Sequence, residues 1–279
     1  MCPYAASARP GPANSMDERL YVKILEQARR AGATRRLALM LQNEPLLDRS
    51  LSKRVRQAKA ILGFKSRVMT VTNGSLLTPE RADELIAAGI DSIEISVDAC
   101  RPETYARIRP GADFRTVVRN AQALLARLSR PRVAMRFLRQ RDNASEEGEF
   151  VHHWKSRGAR VHLMALSNRA GDVGAFDEIH VASRRTLRTC ARTMLGRFVP
   201  RCLSPFASLT VLWDGRVLLC CQDWGPRDIV GDLTKQSLAE VWNGDAMNYY
   251  RRLLWMWRTE ESAVCRDCSV IRTQSAAED

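Results

Sequence analysis

The chain has 279 residues, 45% of them hydrophobic, and carries 44 basic against 31 acidic side chains for a formal charge of +13. Such a chain buries one large core beside a second, smaller one, and its composition excludes a disordered polymer. No apolar run reaches the length of a membrane span, and Met1-Cys-Pro-Tyr-Ala-Ala-Ser-Ala-Arg-Pro10 has no apolar signal core, so no membrane partner is expected and the expected location is the cytoplasm.

Helix and strand patterns alternate from about residue 16 to residue 166. Met16 to Gly32 is predicted helical, with Leu20, Ile24 and Leu25 at helical spacing and Gly32 as the stop. Arg35 to Leu41 is a predicted strand and Ser50 to Leu62 a helix. Arg67 to Thr72 is strand-like; Thr78-Pro79 opens a helix that Gly89 closes. Asp91 to Asp98 follows as a strand, Phe114 to Leu128 as a helix and Arg132 to Leu138 as a strand. Ser145 to Arg157 is predicted helical and Arg160 to Leu166 a strand. Strands separated by helices imply a parallel sheet or barrel with right-handed crossovers. Working residues in such folds sit just past the C-terminal strand ends. There the sequence places Asn43-Glu44, Asn73-Gly74, Ser96 with Asp98, Arg136 with Gln140, and Asn168-Arg169.

Residues 171–200 read as a helical bridge without evident chemistry. Beyond it, Ala207 to Trp213 and Arg216 to Cys220 flank Asp214-Gly215 and read as a β-hairpin. Ser237 to Trp242 and residues 246–257 read as helices, and the end of the chain as a frayed tail. Eight cysteines in the cytoplasm are ligands or free thiols rather than disulfides. Twelve residues separate Cys202 from Gly215, four separate Gly215 from Cys220, and Cys265-Arg-Asp-Cys268 is a CxxC. Four thiolates brought to one point make a zinc site or an iron–sulfur site, and spacing alone admits both. Strand alternation puts Cys221 on the face opposite Cys220. Cys100 and Cys190 read as ordinary thiols, and His152-His153 as a surface pair. The arginines are spread over the helices without interleaved aromatics, as in Arg29-Arg30, Arg184-Arg185 and Arg251-Arg252, so a solvated surface is expected rather than a nucleic-acid interface.

Asn43-Glu44-Pro-Leu-Leu47, Thr72-Asn-Gly-Ser-Leu-Leu-Thr78, Ile95-Ser-Val-Asp98, and Glu103 to Arg109 with Gly111 to Phe114 resemble, in that order, segments of the radical S-adenosylmethionine (radical SAM) superfamily. The C-terminal cysteines resemble its SPASM module, in the shortened twitch form that holds one auxiliary cluster. The resemblance implies an α/β fold: residues 1–170 as a partial (β/α) TIM-like barrel lacking its first strand, the helical bridge at 171–200, and a small α+β SPASM/twitch module with a β-hairpin at 201–279. It also implies an oxidoreductase-type enzyme with S-adenosyl-L-methionine and [4Fe–4S] clusters as cofactors. A 5'-deoxyadenosyl radical would abstract hydrogen from a small-molecule, aminocyclitol-like or peptide substrate. An electron donor such as flavodoxin or ferredoxin would be the partner, and the auxiliary cluster would take the second electron. By the same resemblance Glu44, Asn73, Ser96 and Arg136 are candidates for binding the cofactor, while Cys202, Cys220, Cys265 and Cys268 hold the auxiliary cluster. Cys2, before Pro3-Tyr4, stands where the last cysteine of the family's CxxxCxxC motif belongs. The other two positions precede Met1, so the sequence is expected to be truncated or started at an internal Met. A non-catalytic iron–sulfur or zinc protein keeping the fold is the alternative reading.

Overall fold

A computed structural model of the chain describes residues 15–128, 131–181 and 198–271. Contacts divide it into a unit formed by Ala28–Leu166 with Asp177–Val181 and a second formed by the other described residues. Helix α1 (Glu18–Ala31) comes first. Then follow β1 (Arg36–Ala38), α2 (Leu51–Leu62), β2 (Arg67–Thr72), α3 (Pro79–Ala87) and β3 (Ser92–Ser96). Next come α4 (Pro102–Ile108), α5 (Phe114–Leu125), β4 (Arg132–Arg139), α6 (Glu147–Lys155) and β5 (Arg160–Ala165). The five strands form one parallel sheet in the order β1-β2-β3-β4-β5, the partial α/β barrel that the alternation predicts.

One face of this sheet is the core of its unit. Val68, Thr70, Ile93, Ile95, Met135 and Phe137 are all fully buried there, and each large apolar side chain contributes about 1.5–3 kcal/mol. Helix ends are set by local chemistry. The Thr78 side chain accepts the Arg81 N–H at the start of α3, and Asp113 accepts the Arg115 and Thr116 N–H groups at the start of α5. Asp91, just ahead of β3, accepts the Val68 N–H at 2.8 Å and pairs with Lys59 at 2.8 Å, which ties α2 to the sheet.

Strand β1 is shorter than the predicted Arg35–Leu41, because the chain turns after Leu39 toward a single 3₁₀ turn at Pro45–Leu47. Helix α4 has no counterpart among the predicted elements. The predicted helix Ser145–Arg157 is divided into a 3₁₀ turn, Ala144–Glu146, and α6. Residues 171–181 contain the short α7 (Phe176–Ile179), and residues 182–197, with Cys190, lie outside the described residues. So do Cys2 and the C-terminal tail.

The second unit contains α8 (Ser204–Ala207), β6 (Thr210–Val211), β7 (Arg216–Leu218), β8 (Ile229–Asp232), α9 (Leu238–Asn243) and α10 (Asp245–Trp255). The antiparallel β6–β7 pair is the expected hairpin with shorter strands, and β8 adds a third strand that the sequence pattern does not announce. Gly215 takes φ +93° at the hairpin turn, where the Asp214 carboxylate accepts the Arg216 N–H at 3.1 Å. Helix α9 opens on a capping box between Ser237 and Glu240. It lies so close to β8 that a Cβ on Gly231 would come within 2.5 Å of a Val241 methyl. Among the described residues no helix is long and apolar enough to cross a membrane.

Candidate functional site

Two groups of polar or metal-ligating side chains are candidates for a site, one in each unit. The first lies at the C-terminal edge of the parallel sheet. The Glu44 carboxylate accepts three hydrogen bonds, from the Thr72 hydroxyl at 2.6 Å, the Asn73 N–H at 2.8 Å and the Leu46 N–H at 3.1 Å. The Thr72 hydroxyl in turn accepts the Gly74 N–H at 3.0 Å, and the Asn120 amide donates to the Gly74 carbonyl at 2.9 Å. Glu44 and Asn73 are thus brought together, with the Glu44 carboxylate engaged in shaping the loop after β2. Gly74 takes φ +80°, and a Cβ there would stand 2.9 Å from Ile95.

In sheet register, Thr72 pairs with Ile95, Ser96 with Arg136 and Arg136 with His162. Asn73, Ser96 and Arg136 therefore share one edge. Between them the Glu94 carboxylate faces Arg136 Nε at 3.6 Å and His162 Nδ1 at 3.5 Å, and Arg136 also donates to the Met164 sulfur. The result is a half-buried polar row with donors and acceptors of both charges, which suits a zwitterionic ligand with hydroxyl groups. Sequence reading missed Glu94 and His162; their register with Ser96 and Arg136 was the signal that could have found them.

Asp98 is buried with φ +63°, a conformation that non-glycine residues adopt sparingly. Its carboxylate pairs with Arg109 and accepts the Leu138 N–H at 2.7 Å. Asp98 and Arg109 thus fix the turn after β3. Gln140 is buried near the same turn, with its backbone N–H on Asn143.

The second group is the cysteines. Cys220, Cys265 and Cys268 are buried and Cys202 is half-buried, whereas Cys221 is exposed. The thiols lie within electrostatic reach of one another. Burial first, then the neighbouring thiols, pushes Cys265 up to about 12 and raises Cys220 and Cys268 as well. Among the described residues no three His, Cys, Asp or Glu side chains are drawn around a point that could hold a single metal ion. The donor set, four soft thiols in an apolar surround, fits a multi-iron cluster with one thiolate on each iron.

Buried carboxylates hold the cysteine loops. Asp228 accepts the Ser262 hydroxyl at 2.5 Å and the Val264 N–H at 3.1 Å, and the Ser262 hydroxyl accepts the Cys265 N–H at 3.0 Å. Asp223 accepts the Arg227 and Asp228 N–H groups at 2.9 Å each, while its burial raises its own carboxyl. Tyr250 is raised by burial first and then by the Asp228 charge. Asn168, three residues past the end of β5, clasps the CxxC loop. Its amide donates to the Asp267 carbonyl at 2.6 Å and its side-chain oxygen accepts the Ser269 N–H at 2.9 Å. Cys100 stands apart in the sheet unit, against Glu146, and burial pushes its thiol up to about 12.

Residues 1–138 match the family model of the radical SAM superfamily, and residues 202–269 match SPASM, an iron–sulfur cluster-binding domain. The S-adenosyl-L-methionine-dependent 2-deoxy-scyllo-inosamine dehydrogenase of Niallia circulans is 25% identical over 277 residues, covering 98% of this chain and 88% of that protein. An AdoMet-dependent heme synthase of Methanosarcina barkeri is 45% identical over 53 residues, covering 18% of this chain and 15% of that protein. Among solved structures, BtrN in complex with AdoMet and 2-DOIA is similar with a TM-score of 0.63 at 20% identity, covering 96% of this chain and 87% of that one. The anSMEcpe structure with bound AdoMet reaches a TM-score of 0.65 at 13% identity, covering 96% and 81%. At these identities the two structures share the fold. The domain types matched are those that use S-adenosylmethionine and [4Fe–4S] clusters, and the chain belongs to the radical SAM superfamily with a C-terminal SPASM domain.

Proposed function

We propose that this protein is a radical SAM dehydrogenase that oxidises a hydroxyl-bearing carbon of a cyclitol-like or peptide substrate, with one auxiliary [4Fe–4S] cluster. The observation that carries this reading is that Cys202, Cys220, Cys265 and Cys268 belong to the unit that matches SPASM and influence one another electrostatically there. Likeness to an S-adenosyl-L-methionine-dependent dehydrogenase along nearly the whole chain supports the reaction class. Cys202, Cys220, Cys265 and Cys268 would hold the auxiliary cluster, with exposed Cys221 left outside it. Bound there with four thiolates, such a cluster has no open iron and supplies electron transfer rather than substrate ligation.

Asp228, Ser262 and Asn168 position the thiols by fixing the backbone on either side of Cys265 and Cys268. In the sheet unit, Ser96 and Arg136 offer a hydroxyl and a guanidinium to the ribose and carboxylate of S-adenosylmethionine. Glu44 acts at one remove, by holding the Asn73 loop at that edge. Cys2 is the residue this chain offers to the family's catalytic cluster, and an external protein such as flavodoxin or ferredoxin would deliver the reducing electron.

Anaerobic reconstitution tests the reading. The protein is expected to turn brown and take up about four irons at this site. Replacing Cys265 and Cys268 by Ala should remove that iron, and Cys221→Ser should leave it in place. A form carrying all three cysteines of the family motif should convert a polyol to the ketone in the presence of S-adenosylmethionine. Stoichiometric zinc without iron uptake would overturn the assignment.

A further inference from the structure

The parallel sheet has two chemically different faces. Residues paired in register in a parallel sheet share a face, and alternate residues of a strand return to it. Arg36 pairs with Arg67, Ser92 with Arg132, Ala134 with Arg160, and Arg136 with His162. Val71 pairs with Glu94 and Glu94 with Ala134. Arg36, Arg67, Arg132, Arg136 and Arg160 therefore all stand on the face opposite Val68, Ile93, Ile95, Met135 and Phe137, a face that also carries the buried Met69 and Ala134, with Glu94 as the carboxylate among them. Parallel sheets ordinarily carry apolar side chains on both faces, so five guanidinium groups on one face are a feature that packing does not call for.

Arg136 is paired with Glu94. Arg36, Arg67, Arg132 and Arg160 are exposed, and among the described residues none of their side chains makes an ion pair or a hydrogen bond. Adjacent strands lie about 4.8 Å apart and residues rise about 3.3 Å along each. Arg160 is thus roughly 7 Å below His162, and Arg132 roughly 13 Å below Arg136. A ligand whose reacting carbon sits at the Ser96–Arg136 edge can place further groups on Arg160 and Arg132. Guanidinium groups bind phosphate and carboxylate in a two-pronged fashion that an ammonium cannot match.

We propose that this face binds a multiply anionic small molecule, its phosphate or carboxylate groups held by Arg160 and Arg132 with Arg67 and Arg36 beyond them. That this molecule is the substrate rests on the dehydrogenase reading. The substrate would then differ in charge from that of the Niallia circulans relative, whose name specifies an inosamine. An amine, protonated at neutral pH, would be repelled by this face.

The test is calorimetric titration of the whole protein at low ionic strength with inorganic pyrophosphate and, separately, with citrate. Saturable one-to-one binding is expected for one or both, weakened at least tenfold by Arg132→Gln with Arg160→Gln. Arg132→Lys with Arg160→Lys should bind with intermediate affinity, which controls for loss of fold. Arg56→Gln with Arg115→Gln removes equal charge from exposed helical positions and should leave binding unchanged. Preference for pyrophosphate assigns phosphate groups to the ligand, and preference for citrate assigns carboxylates. Absence of saturable binding to both, or equal weakening in the helical variant, overturns the proposal. Iron content and S-adenosylmethionine binding, read on the same samples, test the dehydrogenase reading separately. Either result can fail while the other stands.

Discussion

Replacing Glu44 by Ala removes one acceptor from three donors, the Thr72 hydroxyl and the Asn73 and Leu46 N–H groups. A hydrogen bond to a charged acceptor contributes about 1.5–3 kcal/mol, and a donor stranded away from water costs a similar amount. Glu44 is only half-buried, so water reaches part of the vacated site. The net loss is therefore about 2–4 kcal/mol rather than three full bonds. Against a typical domain stability of about 5–15 kcal/mol that is a large fraction. Glu44→Gln keeps one oxygen and turns an amide toward a second donor, so about half the loss is expected. Urea unfolding followed by circular dichroism measures the change, and amide exchange at Asn73 and Leu46 localises it. Thr72→Val should be non-additive with Glu44→Ala by about 0.5–3 kcal/mol, because the two side chains share one hydrogen bond. If Glu44→Ala moves stability by less than about 0.5 kcal/mol and the Asn73 amide stays protected, the carboxylate does not hold this loop. Its position would then be open to a direct role in ligand binding.

Gly231→Ala places a methyl 2.5 and 2.7 Å from the two Val241 methyls. It should destabilise the SPASM unit by about 1–3 kcal/mol, with partial rescue by Val241→Ala, read by urea unfolding. Asp113, at the N-terminus of α5, is held below the usual carboxylate range, chiefly by the Thr116 hydroxyl. A depressed folded value means its contribution is present above the unfolded value, near pH 4, and is lost as pH falls through the folded one. Asp113→Asn should flatten the acid limb of the stability profile, and an unchanged profile would place the acid sensitivity elsewhere.

The parallel sheet was readable because its strands are short apolar runs closed by turn residues, and every predicted strand in 28–166 has an observed counterpart. Helix α4 escaped because its seven residues bury Thr104, Tyr105 and Ile108 rather than an aliphatic stripe. Strand β8 escaped because Ile229-Val-Gly-Asp232 follows Gly225-Pro226 and carries its own glycine, a composition that reads as loop. The glycine is there because α9 lies against the strand too closely for any side chain. That requirement belongs to tertiary packing, and local pattern does not carry it.

The cysteines were visible because thiols at such fixed spacing point to a metal or cluster. The residues that hold them were not. Ser262 reaches Asp228 across 34 positions and Asn168 reaches Ser269 across 101, and neither pairing follows a helical or strand period. Asn168 follows β5, and its amide closes the CxxC loop about a hundred positions away, a pairing that its place after a strand does not announce. The consequence is mechanical. A thiol raised by burial is a poor ligand until it loses its proton, so burial by itself works against charging the site. What the scaffold supplies is a fixed backbone around Cys265 and Cys268, so that on the proposed reading little chain entropy would remain to be lost on binding a cluster.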